Sequence, residues 1–139
     1  MEWMILPLKR YADFSGRSQR MEYWLYQLMW VLVMGVCLIV MFAGLPWTEM
    51  EKPDADPGPL FWVGVALAVL WYLVTFIPDI AVTVRRFHDQ DQSGWMYLLK
   101  FIPYLGWIVI FVFMCLEGTK GPNRFGTDPT DPTSAEVFA

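Results

Sequence analysis

Polar and apolar positions in this chain fall into long blocks, not the short periods of a soluble domain. Tyr23 to Leu45 is an apolar run of roughly 23 residues with Gln27 as its one strongly polar side chain. As a helix it measures about 34 Å, enough to cross a hydrocarbon core of ~30 Å. Leu60 to Val84 is a second run, unbroken until Pro78-Asp79, and Leu60 to Ile77 alone reaches the spanning threshold of about 18 residues. The third, Trp95 to Leu116, is interrupted by Lys100, Pro103 and Gly106. A continuous helix kinked at Pro103, with Lys100 snorkelling, is the favoured reading; a break at Pro103 followed by a re-entrant helix is the alternative. The pattern predicts an all-α polytopic membrane protein in a single domain over 1–129, with helices at about 23–45, 60–84 and 95–116. The first run starts too late, is too long and lacks a following small-residue cleavage site for a secretory signal, so it is expected to remain in the mature protein. Gly64, Ala66 and Ala68 on the second run are small enough to let another helix approach.

The flanks carry the charge. Lys9, Arg10, Arg17 and Arg20 precede the first run. The connector from Pro46 to Pro59 has Glu49, Glu51, Asp54 and Asp56 against Lys52, and Arg85 and Arg86 follow the second run. Lys and Arg are retained on the cytoplasmic side, so the amino terminus and the second connector are expected inside and the acidic connector outside. The tail's side stays open: three full crossings put it outside, a re-entrant third segment inside. Trp3, Met4, Leu6 and Leu8 beside Lys9-Arg10 suit a short interfacial segment, with an unstructured lead-in as the alternative. Thr130 to Ala139 is expected to be disordered.

Composition agrees with the block pattern. Hydrophobic residues make up 56% and charged ones 17%, against roughly 25% charged in soluble domains. Eight Trp, ten Phe and six Tyr suit a surface that meets hydrocarbon and headgroups. Cys37 and Cys115 lie in apolar runs without CxxC spacing and read as buried, inert thiols.

The candidate chemistry lies at the helix ends. Arg17, Arg20 and Trp24 are spaced to share a helix face, and Glu22 complements the helix N-terminus. These side chains anchor the helix in the headgroup layer, or one arginine turns inward to an acid on another helix. Asp79, an ionisable group inside the second run, is one such acid; Thr83 and Arg86 share its face and offer local pairing. Arg85-Arg86-Phe87-His88-Asp89 is the densest polar stretch. Its Asp89 is expected to cap or bind the arginines, with Ser93 capping the third helix and Trp95 anchoring it. No second histidine supports a metal site, and no nucleophile elbow accompanies His88 and Ser93. No catalytic, metal or cofactor residues are therefore assigned, and the chain is read as not an enzyme. Gly118 to Pro129 is a series of turns, expected to be tied by Asn123 and Arg124 to the same polar cluster.

These blocks together resemble the DUF805 family of small bacterial inner-membrane proteins. The likeness runs through Tyr11, Phe14-Ser-Gly-Arg17, Arg20, Glu22-Tyr-Trp24, Pro78, Arg85-Arg86-Phe-His88-Asp89 and Ser93-Gly94-Trp95. It continues with Ile102-Pro103, Gly106, Gly118-Thr, Gly121, Asn123-Arg-Phe-Gly126 and Asp128-Pro129, covering roughly residues 9 to 129. Asp79 departs from the family pattern. The resemblance implies a bacterial inner-membrane location and an association of the polar blocks; the family's function is unknown. The expected role is a non-enzymatic module that binds a partner protein or anionic lipid headgroups through a cytoplasmic-side polar network, without nucleic acid or cofactor. A homo-oligomeric channel or transporter component using Asp79 is the alternative.

Overall fold

The computed structural model describes residues 2–47 and 55–131. Glu49, Glu51, Lys52, Asp54 and the tail from 132 onward, on which expectations were placed, lie outside the described residues. Those described form helices and turns, with no strand. Helix α1 (Glu2–Lys9) gives the amino-terminal segment a defined conformation, with Glu2 in its first turn and Lys9 in its last, both matched to the helix dipole. The two long helices are α2 (Arg20–Ala43) and α3 (Pro59–Asp89), and both are long and apolar enough to cross a membrane.

Helix α3 starts on a proline, whose fixed φ suits the first helical position, and runs through Pro78 to Asp89. Arg85 to Asp89 therefore forms the last turns of the helix and not a connecting loop, because no strong breaker stands between Pro78 and Asp91. The stop is a Schellman motif: Gln92 N–H donates to Phe87 O at 2.9 Å and Asp91 N–H to His88 O at 3.0 Å. Asp91 takes the left-handed conformation (φ 57°) that this ending requires.

Two compact units are present, one of Met1–Gln27 with Ile77–Ala139 and one of Leu28–Phe76. In the second, α2 and α3 run antiparallel. Trp30 Nε1 donates to Thr75 Oγ1 at 2.9 Å, and Gly64 lies so close to the Met41 backbone that a Cβ would overlap it. The small residue thus admits a helix of the same chain. Cys37 is buried, whereas Cys115 is exposed, contrary to the expectation of two buried thiols.

The first unit packs around Tyr26, Val82, Phe87, Ile110 and Met114. Here the third apolar run departs from the favoured kinked span. It divides into a 3-10 helix (Gly94–Phe101) and α4 (Leu105–Cys115), which pack against each other. Ser93 caps the first arm by accepting from Trp95 N–H. Ile102 is extended, as a residue before proline prefers, and Tyr104 turns through φ 61°. Each arm is about 16 Å long, half of a ~30 Å core. The chain that leaves α3 at Asp91 is back beside Asp89 at Thr119, whose N–H donates to Asp89 O at 2.8 Å. The path is a hairpin.

Candidate functional site

The end of α3, the start of α2 and the end of α4 meet around three buried arginines. Two helix C-termini, α3 at Asp89 and α4 at Cys115, point their partly negative carbonyl ends into this region, and cations are the groups that relieve that charge. Arg86 pairs with Asp89 one turn on and donates to Leu116 O. Gln90 Nε2 donates to Phe113 O. Arg20, at the surface, reaches Cys115 O at 3.5 Å and Glu117 at 3.2 Å.

Arg17, just ahead of α2, is buried and fully engaged. Its Nε donates to Asp89 Oδ1 at 2.9 Å, its Nη1 to Gly121 O at 2.6 Å and its Nη2 to Thr119 O at 2.5 Å. The inward arginine considered from sequence is therefore Arg17, and its acid is Asp89, not Asp79. Gly118 makes this possible, since a Cβ there would overlap the Asp89 carboxylate.

Arg85 forms the other half of the knot. Nη2 donates to Glu22 Oε1 at 3.0 Å, with side chains 0% and 1% exposed. Nε donates to Ser18 Oγ at 2.8 Å, Nη1 to Asp13 O at 2.6 Å, and Ser18 N–H returns a bond to Arg85 O at 3.2 Å. Asp13, in the loop that wraps Arg85, has a carboxyl pKa of about 2. Its partial burial works upward and is outweighed by the Ser15 hydroxyl and the Arg10 guanidinium.

The tail closes the site. Asn123 Nδ2 donates to His88 O and to Thr119 Oγ1, both at 2.9 Å. Asn123 and Gly126 exchange backbone bonds across a tight turn, which lays the Phe125 ring on the His88 ring, 3.9 Å apart and within 5° of parallel. Arg124 sits over Phe125 and pairs with Asp91 at 3.1 Å. Asp128 accepts from Gly121 N–H at 2.9 Å, and the Thr130 hydroxyl and N–H hold its pKa below the usual carboxylate range.

Further along the helices, Asp79 receives Gln27 Nε2 at 2.7 Å on one oxygen and Lys100 Nζ at 3.1 Å on the other. Lys100 does not snorkel away; it lies over the Tyr97 and Trp107 rings. Local pairing of Asp79 with Arg86 is replaced by this cross-element pair because Arg86 is drawn to Asp89. Thr83 bonds only the Asp79 backbone carbonyl, at 2.7 Å. Arg17, Glu22, Arg85, Arg86, His88, Asp89, Asn123 and Arg124 are thus brought together, with Arg20 at the rim. Ser93 and the exposed Trp95 begin the hairpin, and Asp79 lies apart with Gln27 and Lys100. Sequence reasoning missed Ser18, Gln90, Thr119 and Phe125 as participants. For Ser18 and Thr119 a signal was present, since each is a hydroxyl next to the basic or turn residues of a block.

Two membrane-length helices, a short helical hairpin and a buried knot of arginines at helix ends define a polytopic membrane protein. The chain belongs to the DUF805 family, described as "Protein of unknown function (DUF805)", whose model matches residues 11–127. It is 39% identical over 129 residues to Inner membrane protein YhaI of Escherichia coli (strain K12), covering 93% of this chain and 96% of that relative. To Inner membrane protein YhaH of the same strain it is 38% identical over 129 residues, covering 93% and 97%. Uncharacterized protein YiiR, also of that strain, is 23% identical over 144 residues, covering 86% and 87%. No solved structure matches. The chain is accordingly an inner-membrane protein.

Proposed function

We propose that this protein is a non-enzymatic membrane module that binds anionic lipid headgroups at its cytoplasmic end. The supporting observation is the division of its cations into two sets. Arg17, Arg85 and Arg86 are buried and spent on carboxylates and helix-end carbonyls. Arg20 and Arg124 are 49% and 59% exposed and hold their acids, Glu117 and Asp91, at the surface. Exposed pairs of this kind contribute only ~0–1 kcal/mol, so a lipid phosphate exchanges with the carboxylate at little cost. Lys9 and Lys120 are exposed as well.

The cytoplasmic assignment rests on the same residues. The tail's Lys120 and Arg124 join the basic amino terminus and the Arg85-Arg86 turn in one cluster of the first unit, which supports placing that cluster inside. The channel reading has less support, because both Asp79 oxygens are occupied by Gln27 and Lys100.

The test is native mass spectrometry of the purified protein with phosphatidylglycerol or phosphatidylcholine. Retention of phosphatidylglycerol is expected to exceed that of phosphatidylcholine, to fall with ionic strength, and to be lost in Arg20→Gln/Arg124→Gln without a change in melting temperature. Equal retention of the two lipids would refute the reading; capture of a stoichiometric protein in place of lipid would point to a partner instead.

A further inference from the structure

An apolar cleft of about 480 Å³ opens beside the knot, between the end of α3, the first arm of the hairpin and the tail turn. Phe14, Ile80, Val84, Leu98 and Phe125 supply its apolar walls. The size falls within the range of small-molecule sites, roughly 300–1,000 Å³. Gly94 lets the first arm of the hairpin lie close against α3 along this wall: a Cβ at this position would meet Val84 Cγ1 at 2.7 Å and His88 Nε2 at 3.2 Å. No charged side chain lines the cleft, and the polar groups of its wall are few. His88 Nδ1 faces Gly16 O at 3.3 Å. In the neutral ring with the proton on Nδ1, Nε2 is left as an acceptor beside Gly94. The Ser93 hydroxyl is a second polar group there. Just outside, the Arg124 guanidinium lies 4.7 Å from the centroid of Phe125, the ring that forms one wall.

We propose that this cleft seats one acyl chain of an anionic glycerophospholipid, whose phosphate lies on Arg124 and whose headgroup hydroxyl donates to His88 Nε2. The proposal rests on the headgroup reading above and gives it a place. An acyl chain entering the cleft leaves one apolar environment for another, so the chain contributes little driving force of its own. Selectivity comes from the cation and the histidine acceptor, and the walls determine where the chain runs. Charge complementarity identifies the occupant: an apolar channel without internal charge, with a half-exposed guanidinium and an acceptor nitrogen at its edge, matches a lipid with a negative phosphate and a hydroxyl-bearing headgroup.

The experiment is photo-crosslinking in nanodiscs with phosphatidylglycerol carrying a diazirine midway along one chain, followed by mapping of labelled peptides. Label is expected on Val84, Leu98 and Phe125, and a phosphatidylcholine probe with the same chain is expected to leave them unlabelled. Val84→Phe fills the cleft from α3 and Leu98→Trp from the hairpin; either is expected to abolish cleft labelling while phosphatidylglycerol still binds. Leu98 is half-exposed, so its variant carries the test if Val84→Phe does not fold. Label confined to outward positions such as Val31, Ile39 and Leu73, or cleft label unchanged in both variants, would overturn the proposal. If phosphatidylglycerol preference persists without cleft labelling, the chain site alone fails; if the preference itself is absent, the headgroup reading fails with it.

Discussion

Removing Glu22 tests whether the arginine knot is dry. The Arg85–Glu22 pair is 3.0 Å long, with both side chains essentially without solvent contact. At an effective dielectric of ~20 their attraction is on the order of 5 kcal/mol, offset by the cost of taking both ions out of water. In Glu22→Ala, Arg85 keeps Ser18 Oγ and the Asp13 carbonyl as acceptors but loses the carboxylate that pairs with it directly. The expected loss is about 3–5 kcal/mol, the range for breaking a buried pair. Glu22→Gln preserves a carbonyl acceptor and is expected near the lower end of that range. In Glu22→Met/Arg85→Met both charges go, and stability is expected to return to within about 1 kcal/mol of the parent. The assay is unfolding in mixed micelles with increasing SDS fraction, followed by circular dichroism, with the parent, Glu22→Met, Arg85→Met and the double variant forming a double-mutant cycle. A loss below about 1 kcal/mol in Glu22→Ala is the behaviour of an exposed pair and would refute the reasoning. Additive losses in the double variant would do so too.

Other outcomes follow from the same geometry. Lys100→Met leaves Asp79 with Gln27 alone in an apolar setting; a loss of about 3 kcal/mol is expected, largely recovered in Lys100→Met/Asp79→Leu and checked in the same titration. Gly118→Ala forces the Asp89 carboxylate off Arg17 and Arg86 and is expected to destabilise by about 1–3 kcal/mol, with an unchanged melting curve as the contrary result. Single cysteines at Thr127 and Gln92, introduced after the exposed Cys115 is replaced by Ser, are expected to label from the same side of the membrane with an impermeant reagent; labelling from opposite sides would exclude the re-entrant path. The Asp13 carboxyl is depressed from 3.8 to about 2, so its contribution is present above the unfolded value and is lost as pH falls through the folded one. Asp13→Asn is therefore expected to melt below the parent at neutral pH, with the gap closing between pH 3.8 and about 2.

The two long spans were legible because apolar length is a property of the chain alone. So was the involvement of Arg17, Arg85, Arg86 and Asp89, since charged side chains beside a spanning helix have few places to go. The extent of α3 was less legible. Arg85 to Asp89 reads as a loop by polarity, yet it is helix, because helix formation continues until a residue such as Asp91 accepts the left-handed turn. The third run misled for a related reason. Its hydropathy suits a kinked crossing as well as a hairpin, and the choice depends on groups distant in sequence: Arg86 and Gln90 bind the last carbonyls of α4 and bring it back beside α3.

By itself, then, the sequence determined the class of protein, the two spans and the polar blocks that gather in one cluster, because hydrophobic length and charge placement act locally. Tertiary structure decided the partners. Arg17 took Asp89, Asp79 took Lys100 and Gln27, and Phe125 covered His88. Periodicity states which face of a helix a side chain occupies, but a pair forms only where two faces, two depths and the returning chain coincide in space.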